Sequence, residues 1–216
     1  MPGMRIRHRG EEPRVDPSAY VAPTAVLVGR VRIGPRSRVL FGAVLNAEGS
    51  TIEIGECSIV SENAVLRAMG GEGARHPVTV GEHVLIGPHA TLLGCTIQPF
   101  SYVAAGATVL KGAVVRSGCV VGVGAAVFSE SALHAGMFLP PNTIAIGDPA
   151  DIFSPDEKVT LASYIKTLRF GGIVPAADSP EERRAMLKRA AEERSIEYEN
   201  HAGDIVVEED EEDKAG

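Results

Sequence analysis

Aliphatic residues recur at every sixth position along most of the first two thirds of the chain. They form four runs: Val21, Leu27, Ile33, Val39 and Leu45; Ile54, Val60 and Leu66; Val80, Ile86 and Leu92; Ile97, Val103, Val109, Val115, Val121, Val127 and Leu133. A six-residue period matches neither the turn of an α-helix nor the two-residue alternation of a half-buried strand. Such a short internal repeat predicts a solenoid, in which the chain turns one corner per hexad and stacks the aliphatic side chain inside.

A small residue follows most of these aliphatic positions four residues later. The small residues are Ala25, Ser37, Ala43, Ser58, Ala64, Ala90, Ser101, Ala107, Ala113, Cys119, Ala125 and Ser131, while Val31, Val84 and Met137 depart from the rule. A β-sandwich in which the six-residue spacing arose by chance would not also place a small residue four positions after most of the aliphatic ones. The pattern resembles the hexapeptide repeat of left-handed parallel β-helices from about residue 21 to 137. Three hexads per turn then predict about six triangular coils, stacked roughly 4.8 Å apart.

The segment after the repeat carries two helix start signals. Ser154-Pro155-Asp156-Glu157 precedes apolar residues at helical spacing, and Ser179-Pro180-Glu181-Glu182 precedes a charged stretch that runs to about Ile196. In both, Ser suits the N-cap, Pro the first helical position and Glu the third. We therefore predict a mainly β fold with C-terminal α-helices. Its parts are an N-terminal segment 1–20, a left-handed β-helix domain 21–150, a helical extension 151–200 and an acidic tail 201–216.

Composition and charge disfavour a helix bundle, nucleic-acid binding and membrane contact. The 216 residues include 24 Gly, 14 Pro and only 5% aromatic residues, which favours a core of small and β-branched side chains over a helix bundle. Six consecutive acids at 208–213 account for most of the net charge of −7, and the remaining 22 acids balance 21 bases. We expect no nucleic-acid partner and no membrane contact. Three cysteines without metal-type spacing favour a reducing compartment, the cytoplasm.

Several segments resemble the γ-class carbonic anhydrases. Val44-Leu45-Asn46-Ala47-Glu48 is similar to the family's strand that ends in Arg-Gly-Asp or Arg-Ala-Asp. The stretch from Ile54 to Arg67 matches, without a gap, the one that ends at the family's first metal histidine. Leu93-Gly94-Cys95-Thr96-Ile97 matches His-Gly-Cys-Thr-Ile, and Gly147-Asp148-Pro149-Ala150 also matches. The resemblance implies a homotrimer with its site between neighbouring subunits.

The resemblance also places the family's pocket on residues that do not bind zinc as histidine does. Arg67, Pro88 and Leu93 stand at the three metal-ligand positions, and Asn46, Glu48 and Ser61 replace the family's Arg, Asp and Gln. The spacing supports this placement, because Asn46, Arg67 and Leu93 are each the second residue of hexads three apart and should stack in one column. We therefore expect no zinc cofactor and no CO2 hydratase activity.

Two hypotheses follow for Arg67. A guanidinium binds a carboxylate or bicarbonate well through its fork of donors, so Arg67 with Asn46 and Ser61 would form a small-anion pocket at a subunit interface. Alternatively, Arg67 pairs with Glu48 in its own column. The chain would then be an assembly or scaffold subunit, and its C-terminal helix or tail would offer a surface to a protein partner.

Two further functions stay open. A carbonic anhydrase with a rearranged metal site would use His76 and His89, although two ligands without a third are a weak basis for zinc. A CoA-dependent acyltransferase shares the solenoid and needs a histidine base, for which His89 and His134 are the candidates. The sequence contains no convincing acceptor-site motif for that reaction.

Overall fold

The computed structural model describes residues 3–70, 76–157 and 179–207. Within them the chain winds as a left-handed parallel β-helix with three sheets as its faces. Consecutive strands of a coil lie on successive faces, and strands of neighbouring coils pair in parallel. The predicted hexapeptide-repeat solenoid is confirmed.

The three sheets are made of short strands. The first contains β1 Met4–Arg7, β4 Val26–Val28, β7 Val44–Asn46, β10 Val65–Arg67, β13 Thr91–Leu93, β16 Thr108–Val109, β19 Ala126–Val127 and β22 Ile144–Ile146, with β23 Asp151–Phe153 and β24 Ile205–Val206 at its ends. The second contains β2 Arg14–Val15, β5 Val31–Ile33, β8 Ile52–Ile54, β11 Val78–Val80, β14 Thr96–Ile97, β17 Val114–Val115 and β20 Ala132–Leu133. The third contains β3 Tyr20–Val21, β6 Arg38–Val39, β9 Ile59–Val60, β12 Leu85–Ile86, β15 Tyr102–Val103, β18 Val120–Val121 and β21 Phe138–Leu139.

Every aliphatic position of the repeat lies inside the solenoid. These residues are at most 6% exposed, and the small residues that follow them at the corners are at most 2% exposed. The corner serines also satisfy buried backbone carbonyls. Ser37 Oγ donates to Gly55 O at 2.6 Å, and Ser58 Oγ donates to Gly81 O at 2.7 Å. A small hydroxyl side chain at a corner therefore packs and bonds to the next coil.

The solenoid has about eight coils rather than the six predicted. Within the described residues, the first sheet has eight parallel strands, from β1 to β22. The first coil departs from the pattern at Arg5, which pairs in register with the inward Leu27, whereas Val15 of the same coil pairs with Ile33 and keeps the six-residue spacing to Val21. After Leu133, the inward positions continue at Leu139 and Ala145. The first coil therefore precedes the predicted boundary at residue 21.

An antiparallel strand covers each end of the first sheet. At one end β23 pairs with β22, and Phe153 packs with Phe128 and Ile146 in a small separate cluster. At the other end β24, inside the predicted tail 201–216, pairs with β1. These additions cover strand edges that would otherwise be open to pairing with other chains.

Helix α1 spans Pro180–Tyr198, with Ser179 as its N-cap, in agreement with the second predicted start signal. A short 3-10 helix, Glu199–Gly203, continues from it. The first predicted helix falls mainly on residues 158–178, outside the described residues. No helix among the described residues combines the length and the apolar character needed to cross a bilayer.

Candidate functional site

Three of the residues that match the family pocket lie side by side on the first sheet. Arg67 of β10 pairs in register with Asn46 of β7 on one side and with Leu93 of β13 on the other. The predicted column is confirmed. Ser61 and Pro88 follow β9 and β12, at the corners between the third and first sheets.

Glu48 is the buried acid of this column. It follows β7 with a left-handed backbone, φ 47°, and its side chain is 3% exposed. Asn46 fixes it from two sides: the amide nitrogen donates to Glu48 Oε1 at 3.0 Å, and the amide oxygen accepts the Glu48 backbone N–H at 2.9 Å. Arg67 donates to the same Oε1 at 2.8 Å. Of the two hypotheses for Arg67, the structure shows the ion pair with Glu48.

The C-terminal part of the chain closes over this ion pair. The Tyr198 hydroxyl accepts an N–H of Arg67 at 2.7 Å, and the guanidinium carbon lies 5.1 Å from the centre of the ring. This is a cation–π distance. His201 Nε2 lies 3.3 Å from Glu48 Oε1. Sequence reasoning missed both residues because they lie 131 and 153 positions from their partners, so no local spacing connects them.

A second polar group joins the two ends of the chain. Asp204 Oδ1 lies 2.5 Å from His8 Nδ1, and Asp204 Oδ2 lies 2.8 Å from His201 Nδ1. The two imidazole rings stack with centres 4.3 Å apart. Arg9 Nε donates to His8 Nε2 at 3.1 Å. Since a guanidinium only donates, His8 must accept at Nε2 and carry its proton on Nδ1, where it donates to Asp204.

This arrangement shifts the ionisation of two of its members. The hydrogen bond to Asp204 raises the pKa of His201, and Glu48 adds to this effect while burial opposes it. Burial acts to raise the pKa of Asp204, but the hydrogen bonds from His201 and His8 outweigh it and lower that pKa below its ordinary value. The group therefore favours a charged Asp204 beside its two imidazoles.

An open cleft of about 480 Å³ lies beside the group. His8, Arg9, Arg30, Glu48 and Thr51 form part of its wall. Glu48 contributes a second carboxylate oxygen, Oε2, that is buried and has no hydrogen-bond partner among the described residues. A buried oxygen without a partner is costly, so it marks a position where a donor or a cation would be stabilised.

The two histidines considered for a rearranged metal site do not join this group. His89 is exposed at a corner with φ 58°, and His76 forms a backbone bridge with Met69. Among the described residues, the group with three possible metal ligands is instead His8, His201 and Asp204.

The column itself does not fit the zinc ion that the family resemblance implies. Pro88 and Leu93 have no side-chain donor atom for a metal. Arg67 is a cation, and its guanidinium is already bound by Glu48 and Tyr198. The three matched positions therefore offer a zinc ion no histidine ligand, and Arg67 would face it with a positive charge.

Comparisons with known proteins agree with the fold and with the resemblance. Over 126 residues the chain is 34% identical to "Gamma carbonic anhydrase 1, mitochondrial" of Arabidopsis thaliana, a match that covers 57% of this chain and 46% of that protein. Over 89 residues it is 37% identical to "Gamma carbonic anhydrase-like 1, mitochondrial" of the same plant, covering 40% of this chain and 35% of the relative. The chain thus spans less than half the length of these curated relatives. No family model matches the chain.

A solved structure gives the same fold. The hexapeptide transferase family protein of Anaplasma phagocytophilum has a TM-score of 0.50 at 24% identity, covering 88% of this chain and 94% of the other. At this identity the likeness concerns the fold alone. The chain is a hexapeptide-repeat β-solenoid whose sequence is similar to the γ carbonic anhydrases and the γ-carbonic-anhydrase-like proteins.

Proposed function

We propose that this protein is a homotrimeric γ-carbonic-anhydrase-like assembly subunit that has lost the family's zinc site and its CO2 hydratase activity. The observation that carries the proposal is the set of contacts around Arg67. The guanidinium stands where the resemblance places a metal histidine, and Glu48 and Tyr198 bind it from the same chain.

Hydration of CO2 at neutral pH needs a strong nucleophile. A catalytic zinc ion supplies it by lowering the pKa of bound water from 15.7 to about 7. Arg67 offers a permanent positive charge but no coordination position for water, and a guanidinium does not act as a base. The column can therefore stabilise an anion but cannot generate hydroxide.

The same contacts favour assembly over small-anion binding. Arg67 gives one N–H to Glu48 and one to the Tyr198 hydroxyl, and the aromatic ring lies against the guanidinium. An incoming carboxylate would have to displace a buried acid that Asn46 also holds. Because Glu48 of the same chain already neutralises the charge of Arg67, these contacts support the scaffold role.

We assign the trimer contact to the third sheet. Its outward residues form one column in register: Tyr20, Arg38, Ile59, Leu85, Tyr102, Val120 and Phe138. Leu85, Tyr102 and Phe138 are 46%, 39% and 59% exposed. From Ile59 to Phe138 this column contains only apolar and aromatic side chains, and an exposed surface of this kind is typical of a protein contact. We assign it to further copies of this chain, because Ser61 and Pro88 at its border would then approach the Arg67 column of a neighbour.

Calorimetry with bicarbonate tests the choice between the two roles. We expect wild type and Arg67→Gln to give the same weak heats, because Arg67 is already neutralised in the wild type. Arg32→Gln, which alters an exposed pair with Glu53, is the matched control. The opposite result would be saturable bicarbonate binding in the wild type and in Arg32→Gln but not in Arg67→Gln. That result would contradict the scaffold role and support the anion pocket.

We also propose a reducing compartment, with the cytoplasm as the first candidate. Cys95 and Cys119 are free and buried, and burial raises the pKa of both thiols. Thiols in this state react slowly, and three free cysteines are typical of a protein in a reducing compartment. A protein partner at α1 or at the acidic tail remains a prediction from the sequence.

A further inference from the structure

His8, His201 and Asp204 bring two imidazoles and a carboxylate together from opposite ends of the chain. One possible ligand atom from each residue lies within 4.8 Å of the other two. The His8 side chain is fully buried, while those of Asp204 and His201 are 18% and 32% exposed. This nitrogen and oxygen donor set is one that zinc and similar divalent ions bind.

A buried acid with one unsatisfied oxygen lies beside this group. Glu48 is almost completely buried, and its Oε2 has no hydrogen-bond partner among the described residues. Its other oxygen already lies 3.3 Å from His201 Nε2. His8 and Glu48 both line the adjoining cleft, and Asp204 and His201 are partly exposed to solvent.

We propose that His8 Nδ1, His201 Nδ1 and the Asp204 carboxylate form a binding site for a divalent transition-metal ion of the zinc class. With a metal on Nδ1, His201 carries its proton on Nε2 and donates it to Glu48. A carboxylate that accepts from the second nitrogen of a metal-bound histidine is the usual support of such ligands. The site differs from the family's column and stands independently of the function proposed above.

Metal binding changes the hydrogen bonds of the group in a defined way. In the metal-free arrangement His8 donates from Nδ1 to Asp204 and accepts Arg9 Nε at 3.1 Å. Binding moves the His8 proton from Nδ1 to Nε2, where Arg9 then faces another donor and must turn away. The proton between His201 Nδ1 and Asp204 must also leave that nitrogen, to Nε2 or, where Nε2 already carries one, to solvent. The stacked rings also have to open, because parallel imidazoles do not direct both lone pairs to one ion. Arg9 is therefore a competitor of the metal.

The site would fasten the C-terminal segment to the first coil. Asp204 directly precedes β24, which pairs with β1, and His8 directly follows β1. An ion bound between them would hold this antiparallel pair closed. A ligand that binds only the folded chain stabilises it by mass action, so metal should raise the unfolding midpoint.

The experiment uses the untagged full chain, stripped with a chelator and titrated with Zn²⁺ or Co²⁺. We expect one ion per chain, visible Co²⁺ bands of a nitrogen- and oxygen-ligated ion, and an unfolding midpoint that rises with Zn²⁺. His201→Gln and Asp204→Asn should each weaken binding by more than about tenfold. His89→Gln removes an exposed histidine outside the group and should change nothing.

A second variant distinguishes a metal site from a group of side chains that only hydrogen-bond to one another. Arg9→Gln removes the donor that competes for His8 Nε2, so it should tighten Zn²⁺ binding several-fold. The acidic run 208–213 can bind cations weakly, but that binding would survive in His201→Gln and in Asp204→Asn. The proposal is overturned if the wild type binds no ion, if both ligand variants keep the wild-type affinity, or if Arg9→Gln does not strengthen binding.

Discussion

Replacing Glu48 by Gln is expected to lower the free energy of unfolding by about 2 kcal/mol. The substitution keeps the size of the side chain but removes the negative charge that faces Arg67 at 2.8 Å and His201 at 3.3 Å. Breaking a fully buried ion pair costs roughly 3–5 kcal/mol, and the 31% exposure of Arg67 reduces that figure because water partly screens it. Chemical denaturation of the metal-free chain measures the change.

The matched control for Glu48→Gln is Glu53→Gln. Glu53 also pairs with an arginine across neighbouring coils, Arg32 at 3.2 Å, but both side chains are about half exposed. An exposed pair contributes roughly 0–1 kcal/mol, so this control should be nearly neutral. Equal losses in the two variants would contradict the view that Glu48 organises the site.

Replacing Leu85 by Glu is expected to dissociate the trimer. Leu85 lies in the middle of the apolar column on the third sheet, in register with Ile59 on one side and Tyr102 on the other. A charge buried there without a partner should weaken assembly by at least about 30-fold, the effect of losing a central contact residue. Light scattering over a dilution series gives the molar mass and the midpoint of dissociation.

Thr96→Glu is the control for Leu85→Glu. Thr96 faces outward on the second sheet, between Thr79 and Val114, so it introduces the same charge on a different face. We expect this variant to keep the mass of the wild type. If Leu85→Glu also keeps the mass of the wild type, the third sheet is not the trimer contact. If the wild type is a monomer, the proposed trimer is wrong.

Much of the solenoid was predictable because its determinants are local. The six-residue period fixes which side chain points inward, and every aliphatic position that it marks is buried. The same period placed Asn46, Arg67 and Leu93 in one column, since residues in hexads three apart become neighbours in adjacent coils. The first coil was not predicted as a whole because Arg5 interrupts the period in its first strand, although Val15 in its second strand keeps it.

The contact between His8 and Asp204 was not predictable from the sequence. His8 and Asp204 are 196 positions apart, and neither residue belongs to a repeat or a known metal-ligand spacing. The antiparallel pairing of β24 with β1 brings them together, and a two-residue strand leaves almost no signal in the sequence. The Arg67–Glu48 pair was foreseen because both partners follow the repeat, whereas Tyr198 and His201 were not.

The most direct test of the proposed loss of CO2 hydratase activity is a stopped-flow measurement that compares CO2 hydration by the zinc-saturated chain and by the chelator-treated chain. Arg67, Pro88 and Leu93 provide no zinc ligand at the three family positions, and the ion proposed at His8, His201 and Asp204 is expected to fasten the fold and not to catalyse, so both samples should hydrate CO2 at the uncatalysed rate. Zinc-dependent hydration that chelation abolishes would contradict the proposed loss of activity, and its disappearance in His201→Gln would place the active zinc at His8, His201 and Asp204.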